Sequence, residues 1–238
     1  VTIGFVLILG GSALGESETD SDANKIPIVQ GQVLKDGAEG TAFIAKMQTA
    51  ADQLNNYSSY YKMVVYKPKG TQTETGIFYF RKPKLMRVEV RSGPKKGSLA
   101  VLQADGKVHG RMGGLLKVFS GTLPPDSSWL RALNDFPMVG TDFSSLARYL
   151  KENMLDRGDK ARYSGRPVVT KVVSTPVYVL DMFAVSDGKN VLKKRIFVDP
   201  DSNLPVFWQD YREGKLWSES SWYGLKNEQA LASNLFTN

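Results

Sequence analysis

The sequence predicts a mainly β protein with short helices, built on one curled antiparallel sheet. Three observations predict it. Runs rich in Tyr, Val and Phe recur along the chain, separated by turn residues too few for a parallel crossover. The runs fall in two groups of five, more strands than a strongly twisted sheet carries without curling. No repeat or linker divides the 238 residues, enough chain for a single well-buried core.

Phe43, Met47, Ala50, Ala51 and Leu54 recur at the spacing of one helix face, so an amphipathic helix opens the domain. Strands follow over 58–67, 73–81, 84–91, 98–104 and 107–112. They turn at Pro68-Lys69-Gly70, Lys82-Pro83, Gly93-Pro94 and Asp105-Gly106, the last a favoured hairpin pair. Two helices are expected in the middle. One carries Trp129, Leu130, Leu133 and Phe136 after Asp126-Ser127; the other carries Phe143, Leu146, Ala147, Leu150 and Met154 after Thr141-Asp142. Strands resume over 161–173, 177–185, 191–198, 204–211 and 215–223, with turns at Asp187-Gly188 and Glu213-Gly214, and a short helix over 228–235 closes the chain.

Several strands alternate. Met86, Val88 and Val90 oppose Arg87, Glu89 and Arg91, while Val108, Gly110 and Met112 oppose Lys107, His109 and Arg111, so one face is apolar and the other basic and wet. Trp208 lies opposite Phe207 and Tyr211, and Trp222 shares a face with Leu216, which puts both tryptophans on the concave side. Such an interior is filled either by the helices or by the helices together with an apolar ligand.

Composition excludes much chemistry. There is no cysteine, hence no disulfide and no thiolate metal site, and a single histidine, His109, cannot build a multi-histidine zinc centre. No catalytic residue, metal or cofactor is expected. Gly110, Gly113 and Gly114 lack the Gly-Lys-Ser/Thr ending of a phosphate loop, and Asp199, Asp201 and Asn203 around Pro200 are explained by turn chemistry.

Residues 1–9 are apolar and uncharged, too few to span a bilayer core of about 30 Å. The small residues that follow, with Ala13 and Gly15 spaced like a cleavage signal, read as a secretory signal peptide over 1–15, which implies export to a periplasm. Residues 16–40 read as a flexible acidic leader and 41–238 as one domain. Without cysteine there is no site for lipoprotein acylation, so the exported protein is expected to be soluble, and a monomer. The first forty residues hold six acids against two lysines, leaving 29 cations against 18 anions in the rest. That field favours anionic partners. Nucleic acid is not expected in an exported protein.

The stretch from Gly76 through Phe78-Tyr79-Phe80-Arg81-Lys82-Pro83 to Met86-Arg87, followed by Asp105-Gly106-Lys107, resembles periplasmic lipoprotein carriers of the LolA type. The end is also similar: Leu204-Pro205, the aromatic strand to Tyr211, Glu213-Gly214-Lys215, then Trp222-Tyr223, Asn227 and Phe236. The resemblance covers about residues 41–238. It implies an unclosed half-barrel of about ten to eleven strands, lidded by short helices, with an apolar hollow for acyl chains. In that family the basic residue before the proline latches the lid and the apolar residue further on governs retention of the lipoprotein. The matching positions are Lys82 and Met86.

Alternation and resemblance together make Phe78, Phe80, Met86, Val88, Val90, Trp208 and Trp222 the expected lining of an apolar cavity. Lys82 is the expected lid latch, and Arg81, Lys84, Arg87 and Arg91 the expected docking cations for an anionic membrane surface or an inner-membrane transporter. The function expected is that of a carrier or chaperone of lipid or lipoprotein acyl chains bound for the outer membrane, not an enzyme. The alternative is a sensing or structural protein with a filled core that binds a protein partner through its basic face. A charge at Met86 or Val88 is expected to abolish acyl binding while the fold survives.

Overall fold

The computed structural model describes residues 35–36, 38–113, 120–186 and 188–237. The expected signal segment 1–15 lies outside them, as do most of the leader and Gly114. In chain order the elements are β1 (Lys35–Asp36), α1 (Ala38–Asp52), β2 (Asn56–Lys67), β3 (Gly70–Arg81), β4 (Leu85–Ser92), β5 (Leu99–Leu102), β6 (Val108–Arg111), β7 (Ser120–Leu123), α2 (Phe143–Arg157), β8 (Lys160–Tyr163), β9 (Tyr178–Ser186), β10 (Lys189–Val198), β11 (Pro205–Arg212) and β12 (Lys215–Asn227).

All of these strands join one sheet in the order β1-β8-β9-β10-β11-β12-β2-β3-β4-β5-β6-β7, with β1 and β7 at its two edges. Every pairing is antiparallel. It is the unclosed half-barrel expected, with eleven strands of four residues or more and the two-residue β1 added at the edge.

The helices lie against the concave face. Ile44 and Met47 of α1 and Leu146 and Leu150 of α2 pack with Met86, Leu180, Ile196 and Trp208 of the sheet in one core. Asp142 caps α2 by accepting from Ser145 N at 2.9 Å, and Tyr57 OH takes the next free donor there, Phe143 N, by accepting at 3.1 Å. On the convex face apolar residues of the strands are covered by irregular chain. Val179 and Phe197 meet Val168, Val173 and Val177. Val101 and Leu85 meet Leu231, Leu235 and Phe236 of the C-terminal segment.

Three elements differ from expectation. The helix expected around Trp129–Phe136 is a single 3-10 turn, Ser128–Leu130, followed by a tight reversal closed by an Arg131–Pro137 bridge. Asp135 takes a left-handed φ of 68°, which ends any helical run, and Pro137 lacks the N–H a helix needs. The strand expected over 161–173 stops at Tyr163, where Gly165 turns at φ 70° and Pro167 follows. The closing helix is a 3-10 turn, Ser233–Phe236. β7, with the sequence Ser-Gly-Thr-Leu, carries almost no β signal of its own.

Candidate functional site

The helices fill only part of the hollow. Phe80, Met86 and Leu102, register partners across β3, β4 and β5, pack in the helix-covered core, and Met86 is 0% exposed. One step of the alternation further along the same strands, Phe78, Val88 and Ala100 border a cavity of about 500 Å³. Its other walls are Val90, Val108, Leu123 and Trp222 of the sheet and Leu130 and Met138 of the connecting segment. The lining is mostly apolar and the volume is that of a small-molecule pocket. Trp129, 60% exposed, stands at the mouth.

Glycines shape this wall. Gly110 and Gly121 pair across β6 and β7. A Cβ at Gly121 would meet nothing within 4 Å, so this stretch of wall stays open because it has no side chain. A Cβ at Gly76 would lie 2.5 Å from the Tyr61 ring and 2.2 Å from Glu89 O; its absence lets Tyr61 lie flat against β3.

Tyr61 serves the one acidic side chain among the described residues of the lining. Its hydroxyl donates to Glu74 Oε1 at 3.2 Å, while Glu74 Oε2 is buried without a hydrogen-bond partner. Glu74 is 4% exposed. Burial pushes its carboxyl above the ordinary 4.5, with the positive charge of Lys95 acting in the opposite direction. Lys95 lines the same cavity and donates to Arg131 O at 2.6 Å, which ties the β4–β5 hairpin to the segment over the mouth.

Of the residues expected in the lining, Phe78, Val88, Val90 and Trp222 border the cavity, whereas Met86 and Trp208 sit in the closed core and Phe80 borders a separate, smaller pocket beside Lys82 and Lys84. Trp208 Nε1 donates to Asp210 Oδ1 at 3.0 Å. Alternation places all seven on the concave face; it does not say where along the strands the helices end. Lys82 donates from Nζ to the carbonyl of Asp52, the last residue of α1, a cation on the negative end of that helix. That is contact with one carbonyl of a covering helix.

The four expected docking cations all have partners within the chain. Arg81 donates to Leu231 O and lies over the Phe236 ring, 5.0 Å from its centroid. Arg87 donates to Leu235 O at 3.1 Å and pairs with Glu89 at 2.7 Å. Arg91 pairs with the same Glu89, and Lys84 bonds Asp142 at 3.0 Å and Ser145 Oγ at 2.7 Å beside the start of α2. Arg81 and Arg87 thus pin the C-terminal segment to the convex face. His109 is partly buried between Thr122 and Asp105. Among the described residues no group of three or more His, Asp or Glu is placed to hold a metal ion.

Tyr61, Glu74, Gly121, Trp129 and Met138 were not anticipated in the lining. One sequence signal does point to Glu74. It has the same parity on β3 as Gly76, Phe78 and Phe80, and is the acid on an otherwise apolar face.

No family model matches the chain. No curated protein matches it either. Solved structures do. An uncharacterised conserved protein of Thermus thermophilus aligns over 84% of this chain and 93% of its own at 10% identity, with a TM-score of 0.50. A LolA superfamily protein of Nitrosomonas europaea aligns over 84% and 97% at 10% identity, TM-score 0.44. MucB of Pseudomonas aeruginosa, solved in complex with MucA, aligns over 84% and 61% at 16% identity, TM-score 0.39. At these identities the likeness is one of fold alone: the chain shares the architecture of the Thermus thermophilus protein over most of both lengths.

Proposed function

We propose that the protein is a soluble, exported carrier that holds an acyl chain of a lipid or lipoprotein in its half-barrel and moves it towards the outer membrane. One observation carries the reading: an apolar cavity of about 500 Å³ that the helices leave open, with a mouth under Trp129. Burying about fourteen methylenes there gains roughly 11 kcal/mol before ordering costs, at about 0.8 kcal/mol each, which is enough for useful affinity from one chain. The motif resemblance supports the same reading, of a binding protein without catalytic residues. The alternative, a filled core with a basic docking face, is less well supported, because the cations that would form that face are engaged within the chain.

The test is native mass spectrometry of protein expressed in a periplasm and purified without detergent, before and after solvent extraction. The expected result is about one acyl species per chain, lost on extraction and absent from Gly121→Phe, whose ring enters the open stretch of wall. A bare mass, together with no uptake of a fluorescent fatty acid, overturns the reading.

A further inference from the structure

A carboxylate is an expensive group to place in the wall of an apolar cavity. Isolated in low dielectric it favours its neutral form or a compensating donor. Glu74 has only half of that compensation: Tyr61 OH serves Oε1, and Oε2 is buried without a hydrogen-bond partner. Deletion of the acid would leave a more apolar pocket, so a bare acyl chain gives no reason for its presence.

The second observation is Lys95. An ammonium has three donors and no acceptor; Lys95 lines the same cavity and its charge acts on Glu74. The polar part of the wall therefore offers an acceptor and a cation together, while Phe78, Val88 and Trp222 offer apolar surface beyond them. A fatty acid or another purely anionic head still binds through its chain and meets Lys95, but sets like charge against Glu74 and so binds more weakly. A head with an ammonium and an acidic group satisfies both side chains at once.

We propose that the cavity selects amphiphiles with a zwitterionic head of the phosphoethanolamine type, the ammonium pairing with the Glu74 carboxyl group and the acidic group facing Lys95. This inference rests on the carrier reading above and narrows its cargo.

The test compares delipidated protein titrated with lysophosphatidylethanolamine and with lysophosphatidylglycerol of the same acyl chain, below their micelle concentrations, by calorimetry. The ethanolamine lipid is expected to bind about tenfold tighter, the factor that one charge-assisted hydrogen bond supplies. In Glu74→Gln that preference falls to within about twofold while glycerol-lipid binding holds or rises. If Glu74→Gln does not fold, Glu74→Asp, which draws the carboxylate back from the ligand, is expected to lower the preference likewise. Equal binding of the two lipids by the unaltered protein overturns the head assignment and leaves the carrier reading standing. A preference that survives substitution of Glu74 overturns it as well. Binding of neither lipid overturns the carrier reading and this inference with it.

Discussion

Glu74 and Lys82 show how much a single side chain depends on where it is buried. The folded state holds Glu74's proton more tightly than the unfolded chain does, because burial raises its carboxyl above the ordinary 4.5. That contribution to stability is complete below the unfolded value and is lost as pH rises through the raised one, where a charge must form in the wall. Glu74→Gln keeps an acceptor for Tyr61 and removes the charge. The variant is therefore expected to gain on the unaltered protein as pH climbs from the unfolded carboxylate value through the raised one, read by urea unfolding at each pH. A variant that loses stability relative to the unaltered protein as pH rises would contradict this. Lys82 is the converse case. Its position before Pro83 is evident in the sequence as a motif, yet its role depends on the end of α1 coming within reach of its ammonium.

At the scale of elements, the sheet is held across its convex side by a polar row. Arg195 of β10 makes a two-pronged pair with Asp181 of β9, Nε to Oδ1 at 2.8 Å and Nη2 to Oδ2 at 3.0 Å, and both residues are buried. Arg195 is the register partner of Gln209 on β11, which donates to Glu219 of β12 at 2.9 Å, and Tyr66 OH of β2 donates to the same carboxylate at 2.6 Å. That last bond is the chief reason why the Tyr66 phenol is pushed up to about 12. Breaking a buried pair on one side leaves an uncompensated charge. Arg195→Met is expected to cost about 3–5 kcal/mol by denaturant unfolding, and the double variant Asp181→Leu/Arg195→Met to recover most of it. Equal loss in the single and double variants would place the effect in packing instead.

The α2 helix was legible because Asp142 and a heptad-like apolar face announce it, and the long strands because alternation persists over many residues. The middle segment misleads. Trp129, Leu130, Leu133 and Phe136 have helical spacing, but the chain reverses at Asp135 and uses Leu130 to border the cavity. Periodicity records which residues are apolar; it does not tell a helix face from a loop folded over a pocket.

At the scale of the molecule, the half-barrel is divided lengthwise into a packed part and an open part, and the division changes what substitutions at Met86 and Val88 should do. Met86 is fully buried, so Met86→Asp places a charge in the closed core and is expected to unfold the domain, with a loss above about 4 kcal/mol. At Met86 this prediction departs from the sequence expectation that the fold survives a charge there. Val88 borders the cavity, so Val88→Asp is expected to keep the circular-dichroism spectrum of the unaltered protein while uptake of a fluorescent fatty acid is lost. Unfolding of both variants alike would argue against an open part of the barrel.

The sequence by itself determined the antiparallel sheet, its curl, the opening helix, α2 and the concave face, because these follow from local turn chemistry and from alternation, properties of neighbouring residues. It also determined what the protein lacks for thiol and multi-histidine chemistry, because absent residue types cannot be supplied by folding. Only the tertiary structure decided where the concave face is covered and where it is open, because that depends on how far two helices reach along strands distant in sequence. The same long-range packing decided that Glu74 meets Tyr61 in the wall of a cavity, and that Arg81 and Arg87 hold down the chain's own C-terminal segment. Both outcomes require segments to meet whose separation in sequence leaves no periodic trace.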